Sequence, residues 1–275
     1  MAYETLGKGS LDYVPCRYGA SKILFRGPKK KLTQPYLAML GGTETYGKFV
    51  ERPYPALVER DAGITSVNLG CPNAGVDAFV YDDTLIDACK KAEMTVVQIM
   101  GAHNMSNRFY AVHPRRNDRF LRASKLLKAI YREVDFTEFN FTRHLLNTLE
   151  EISADRFAMI QQELREAWVA RMKMLISRLN GNVVLLWMSD HAIADGGRDG
   201  IHGTDPLFVD QDMINEVKPF VRELVEVVVA ESEISVGRED LVYSDMDEPA
   251  THQMLGTVAH RKANRALQEV LQTVI

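Results

Sequence analysis

The sequence predicts an α/β chain built on a doubly wound parallel sheet, and three observations carry that reading. Apolar runs of strand length recur at Tyr36–Leu40, Ile64–Leu69, Met94–Met100 and Val183–Met188, rich in β-branched or large aliphatic residues. Each run is followed by Gly or Ser, residues that turn a chain out of a strand. Helical patterns lie between the runs, and strand-helix alternation implies parallel strands joined by right-handed crossovers. Ligands of such sheets bind beyond the carboxyl ends of the strands.

Taken in order, residues 1–35 are rich in Gly, Lys and Tyr and read as an irregular arm. The first strand is followed by a helix over Pro55–Asp61. The second is followed by a helix over Asp77–Ala92, where Ala78, Leu85, Ile86 and Cys89 form an apolar stripe. After the third strand the interval Asn104–Asn182 predicts a helical insertion, about 105–180, and not a second core. Within it, Asp118–Tyr131 opens on an aspartate cap. Ala154–Leu179 carries a stripe through Phe157, Ile160, Leu164, Trp168, Met172 and Leu175. A helix near Asp212–Phe220 leads to a fifth strand within Glu223–Val229, with one continuous helix over Asp212–Ala230 as the competing reading. The last helix spans about Thr257–Val274, and Val258, Ala263, Leu267, Val270 and Leu271 face the sheet.

Length and composition fit one domain over 1–275: the chain has 275 residues, 46% of them hydrophobic. A formal charge of −4 gives no overall attraction to nucleic acid or anionic lipid, so any basic site must be local. The start MAYETLGKGSLDY lacks a signal pattern, and no segment reaches the roughly 18 apolar residues of a membrane span. The expectation is a cytoplasmic protein with no membrane partner. Cys16, Cys71 and Cys89 lack CxxC spacing, which predicts reduced thiols; no metal and no cofactor are expected.

Chemistry-bearing residues gather at the strand ends. After the first strand, GGTETYG places Gly41, Gly42, Thr43, Thr45 and Gly47 in a tight turn. Its threonines either cap the next segment or present a hydroxyl at the carboxyl edge. The second strand ends NLGCPNAG with Asn68, Gly70, Asn73 and Gly75, and the third ends QIMGAHN with Gly101, His103 and Asn104. Three successive strands thus finish in Gly plus Asn or Thr.

The order and spacing of these blocks resembles the SGNH (GDSL-like) hydrolase superfamily, in which a serine, a glycine, an asparagine and a late histidine come from successive blocks. GGTETYG is similar to the first block, NLGCPNAG to the second, GAHN to the third and EPATHQMLGTVAHRKANRAL to the last. The opening segment is also similar to that of a bacterial domain family without an assigned function, placed within this group. The resemblance implies a flavodoxin-like three-layer sandwich with a central parallel sheet of about five strands. It also implies a hydrolase or acyltransferase acting on an O-ester of a carbohydrate or small anionic conjugate. Thr43 would take the nucleophile's place, preceded by Gly42 where the family has aspartate. His252 or His260 would be the base, with Asp247 or Glu248 to orient it, and Pro249 stands where the family's aspartate is expected. The N–H groups of Thr43 and Gly70 and the Asn104 side chain would stabilise an oxyanion. Threonine is more crowded than serine at this position, so the competing reading is an inactive relative that binds a carbohydrate or anionic ligand in the same cleft.

Two further clusters stand outside that pattern. VHPRRNDRFLR sets Arg115, Arg116, Arg119 and Arg122 at the opening of the predicted Asp118–Tyr131 helix, either as an anion site or as a solvated face. Without interleaved aromatics or a basic excess it does not predict nucleic acid. The loop after the fourth strand carries Asp190, His191, Asp195, Asp199, His202 and Asp205, which read as a Gly/Asp turn in preference to a metal centre because no spacing matches a metal motif. A homo-oligomer assembled through the helical insertion would expose the Trp168 stripe.

Overall fold

A computed structural model describes residues 9–179, 181–197 and 203–274. All six residues of β1 (Tyr36–Gly41) are buried because β1 lies inside the sheet, between β2 (Thr65–Gly70) and β3 (Met94–Gln98). Beyond β3 come β6 (Val183–Ser189) and the edge strand β7 (Glu223–Val228), in the order β2-β1-β3-β6-β7, all parallel. The fold is α/β with a flavodoxin-like three-layer arrangement. The fifth strand is therefore a strand, and the continuous helix over Asp212–Ala230 is excluded. The helix α8 (Gln211–Val217) ends in a short 3-10 turn, Lys218–Phe220, before β7 begins.

Alternate residues of each strand feed opposite faces. Tyr36, Ala38, Leu40, Val97, Leu185 and Trp187 pack on one side with α3 (Asp77–Val80), α4 (Asp83–Lys90) and α7 (Ala154–Arg178). Leu37, Met39, Val96, Val184 and Leu186 pack on the other with α2 (Tyr54–Ala62) and α11 (Gly256–Val274), through Val58, Ala259, Ala263 and Leu267. Each fully buried large aliphatic or aromatic side chain contributes roughly 1.5–3 kcal/mol. The two faces are what make the strand sequences read as unbroken apolar runs.

The interval after β3 departs from the expectation in two ways. Its first part is a hairpin, β4 (Tyr110–His113) with β5 (Arg116–Ala123), and not the opening of a helix; the helix α5 covers only Lys125–Ile130. Register shifts in the β4–β5 pairing put Asn117, Phe120 and Ala123 inward at a spacing of three, which mimics a helical face. Its second part, α6 (Thr142–Ile152) and α7, belongs to the main core. Trp168 is fully buried, and its indole N–H donates to the Met100 carbonyl at 2.8 Å. The Trp168 stripe is thus covered by the chain's own sheet and is not exposed for a second copy.

The expected helix Asp77–Ala92 is two helices. Asp82 breaks them by capping α4: one carboxylate oxygen accepts the Leu85 N–H at 3.2 Å, and the other accepts the Ser21 hydroxyl at 2.7 Å. Residues 9–35 form an irregular arm in which a bridge joins Cys16 to Phe25, and Tyr18, Ile23 and Phe25 are buried in the main core. Further helices are α1 (Thr43–Tyr46), α9 (Glu231–Glu239) and α10 (Glu248–Thr251).

Candidate functional site

Strand order reverses between β1 and β3, so the crevice that this topology offers a ligand opens where those strands end. The polar residue closing β3 organises it. Gln98 Oε1 accepts the Gly42 N–H at 3.1 Å, the Thr45 N–H at 3.1 Å and the Thr45 hydroxyl at 2.6 Å. These bonds fix α1 at the carboxyl edge and engage the Gly42 amide. The main-chain N–H of Thr43 has no hydrogen-bond partner among the described residues.

Thr43, half-buried, faces the loop after β2. Its hydroxyl accepts the Asn73 N–H at 2.9 Å and donates to Asn73 Oδ1 at 3.2 Å. Asn73 sits in the left-handed region at φ 55, which asparagine tolerates better than most residues. There its backbone N–H and its side chain both serve the same edge. The Asn73 amide N–H₂ donates to Asp118 Oδ2 at 3.2 Å, and the Asn73 carbonyl accepts from Asn104 Nδ2 at 3.2 Å. The Thr142 hydroxyl, in the first turn of α6, donates to Asn104 Oδ1 at 2.6 Å. One network therefore joins the ends of β1, β2 and β3 with α6. Gly75 permits the closest approach in it, since a β-carbon there would overlap the Asn104 carbonyl oxygen.

Thr43, Gly42, Asn73 and Asn104 thus come together, while other expected members of a hydrolytic set do not. The Gly70 N–H is occupied by Asn68 Oδ1 at 2.9 Å, and Gly70 lies against the Thr45–Tyr46 backbone, so its role is to seat α1. Asn104 is 6% exposed, with its oxygen and one amide hydrogen already engaged. Neither candidate histidine contacts Thr43 among the described residues. His252 is exposed at the end of α10, and its carbonyl accepts from Arg238 at 2.5 Å. His260 is fully buried on α11; its Nδ1 accepts the Tyr54 N–H at 3.1 Å, and its Nε2 lies 3.3 Å from Glu44 Oε2, off the line of a hydrogen bond. Asp247 accepts the Ser244 hydroxyl at 2.7 Å and Glu248 begins α10; neither touches a histidine. The first and last blocks do meet, but through Glu44, which also accepts the Leu255 N–H at 3.1 Å.

The arginine run reaches the same edge from above, on a hairpin. Arg115 and Arg116 are exposed at its tip, and the Cys71 thiol points to the Arg115 carbonyl at 3.9 Å. Arg119 lies over the Phe141 ring at 4.8 Å, and Arg122 is exposed on the outer side. Burial, with Asp118 adding to it and Arg116 opposing, pushes the Cys71 thiol up to about 11, so it is a protonated packing residue at neutral pH and no nucleophile.

A second polar cluster sits where β6 ends. Asp190 Oδ1 lies 2.7 Å from His191 Nδ1 and accepts the Thr204 hydroxyl at 2.6 Å. The Ser189 hydroxyl lies 2.8 Å from the same Nδ1, 2.8 Å from the Asp205 carbonyl and 3.2 Å from Asp190 Oδ1. Burial alone would raise the Asp190 carboxyl, but hydrogen bonds from His191, Thr204 and Ser189 together hold it below the ordinary carboxylate range. Asp205 pairs with Arg143 of α6 at 3.5 Å, close to His103 at the end of β3. Burial pushes the His103 imidazole down to about 4, opposed by Asp205 and assisted by Arg143. Asp199 and His202 lie outside the described residues; among the described ones no three His, Cys, Asp or Glu side chains group as metal ligands. Next to this cluster a concavity of about 470 Å³ opens between β7 and α11, lined by Ala192, Glu226, Lys262 and Arg265.

Residues 1–275 match the family described as a domain of unknown function, DUF6473. The chain belongs to that family. No curated protein matches the sequence. Sequence reasoning missed two contributors to the candidate site, Gln98 and Thr142. Gln98 had a signal, a polar residue closing an otherwise apolar strand, MTVVQ. Thr142 had none, because its partner Asn104 is 38 residues away in sequence.

Proposed function

We propose that the carboxyl edge at Thr43, Asn73 and Asn104 binds a small ligand rich in hydroxyl or anionic groups, with Thr43 as a contact residue and not a nucleophile. One observation carries this reading: the Thr43 hydroxyl exchanges two hydrogen bonds with Asn73, and no imidazole among the described residues reaches it. An alcohol without an adjacent base is a poor nucleophile at neutral pH. The free Thr43 amide and the exposed Arg115 and Arg116 supply donors suited to carboxylate or hydroxyl oxygens. The SGNH-like resemblance is retained for the position of the cleft, and the hydrolytic triad it implies is set aside.

Saturation-transfer NMR with glucuronate, glucose and citrate tests the reading on the purified protein. Glucuronate or citrate signals that weaken at least several-fold in Asn73→Ala support it. Labelling of the protein by an alkyl fluorophosphonate that disappears in Thr43→Ala would return Thr43 to the role of nucleophile and end the proposal.

A further inference from the structure

The sheet ends at β7, whose outer side no described strand covers. The concavity of about 470 Å³ beside it touches three consecutive residues of that strand, Glu226, Val227 and Val228. Consecutive side chains of a strand point to opposite faces. Val227 packs into the face that holds α11, whereas Glu226 Oε1 accepts the N–H of Ile193, a member of the core on the other face, at 2.7 Å. A hollow that meets both residues therefore wraps the open edge of β7 and does not lie on one face.

The peptide plane between Val228 and Val229 fixes which backbone groups face it. The Val229 N–H donates to the Ser189 carbonyl of β6 at 2.9 Å, so the Val228 carbonyl, on the opposite side of a trans peptide, points outward. Lys262 Nζ donates to it at 2.8 Å. With a period of two, the N–H groups of Glu226 and Val228 and the Glu226 carbonyl point outward as well, and no strand pairs with them among the described residues.

The other wall is α11. This helix starts at the carboxyl edge of the sheet, where the Leu255 N–H meets Glu44, and runs beside α2 towards the opposite edge, with His260 at Tyr54 and Gln268 at Val58. Lys262, Arg265 and Glu269 thus follow one another along the concavity against the direction of β7. Lys262 is engaged by Glu233 at 2.7 Å and by the Val228 carbonyl. Arg265 and Glu269 are exposed and make no hydrogen bond or ion pair among the described residues. An unpaired guanidinium and, one helical turn below it, an unpaired carboxylate stand beside an open strand edge.

We infer that this edge binds an extended peptide by strand addition, parallel to β7, with the peptide's free C-terminal carboxylate on Arg265 and a basic side chain on Glu269. Main-chain groups of the peptide meet the outward N–H and C=O of Glu226 and the N–H of Val228, and Lys262 ends the pairing by occupying the Val228 carbonyl. The spacing sets the sequence preference. Four residues of helix rise about 6 Å, which is the length of about two residues of strand, so the basic residue is the third from the peptide's end. The site is separate from the edge at Thr43 and does not rest on the ligand reading above.

The test titrates the purified protein into the fluorescein-labelled peptide Thr-Val-Thr-Lys-Val-Val, made with a free C-terminus and again as the C-terminal amide, and reads polarisation. The free acid should saturate below about 1 mM, and the amide should bind at least about tenfold more weakly. Arg265→Gln, at an exposed position, should abolish that difference, and Glu269→Lys should reverse the preference for Lys over Glu as the third residue from the end. Hydrogen exchange at the Glu226 and Val228 amides should slow when the peptide is added. Three results overturn the inference: no binding of the free acid up to about 1 mM, equal binding of acid and amide, or unchanged exchange at both amides. Protection of those amides that grows with protein concentration and needs no peptide would assign the edge to a second copy of the chain and overturn it as well.

Discussion

Glu44 Oε2 lies 3.3 Å from His260 Nε2, and Glu44 Oε1 accepts the Leu255 N–H, so the turn after β1 is fastened to the last helix by the residue beside Thr43. That contact is structural: His260 is fully buried, and its other nitrogen serves the Tyr54 amide. Glu44→Ala leaves the Leu255 donor unpartnered and removes the carboxylate beside His260. It should cost about 1–3 kcal/mol in urea unfolding. A loss under about 0.5 kcal/mol would show that the turn and the helix are held by other contacts.

Gln98 concentrates three donors on one oxygen, in a site that excludes water. Gln98→Leu fills a similar volume but leaves the Gly42 and Thr45 N–H groups buried and unpaired. The expected loss is about 2–4 kcal/mol, larger than for truncating a surface glutamine. The Thr45 hydroxyl has Tyr54 as an alternative partner at 2.9 Å, so the penalty falls on the two amides. Chemical denaturation measures it.

His103 gives the protein an acid sensitivity of predictable sign. Its folded-state pKa of about 4 lies below the ordinary 6.5, so between these values the unfolded chain binds the extra proton. The stability is fully present above pH 6.5 and is lost as pH falls towards about 4, with a total on the order of 3 kcal/mol. His103→Gln should flatten the fall in melting temperature across that window relative to the unsubstituted chain. Parallel curves for the two proteins would refute this.

Gly75→Ala tests the network through its tightest contact. The added methyl group meets the Asn104 carbonyl and must push apart the loops after β2 and β3. A destabilisation of about 1–3 kcal/mol is expected, together with shifts in the Asn73 and Asn104 amide resonances. Unchanged resonances would mean that the two loops move independently.

Most of the sheet was legible because it is covered on both sides, so burial wrote itself into the sequence as apolar runs at 36–40, 94–100 and 183–188. The hairpin was not, because its register shifts give β5 the spacing of a helix and place its arginines where a helical face would have them. The site was half legible. Glycines and amides at strand ends announced a shared edge, and Thr43, Asn73 and Asn104 do converge there. Where each histidine ends up depended on side-chain direction. His260 points into the core from α11, and His191, two residues after the last buried position of β6, stays half outside.

Arg26 carries a consequence for where this protein can be cut. From the irregular arm its guanidinium donates to the carbonyls of Tyr46, Gly47, Val50 and Glu51, closing off the segment that follows α1. No other side chain donates to these four oxygens among the described residues. A fragment trimmed back to the first strand would keep every element of the sheet yet strip the stretch behind Thr43 of its clasp. The irregular stretch around Arg26 is therefore part of the architecture, although it precedes the first strand.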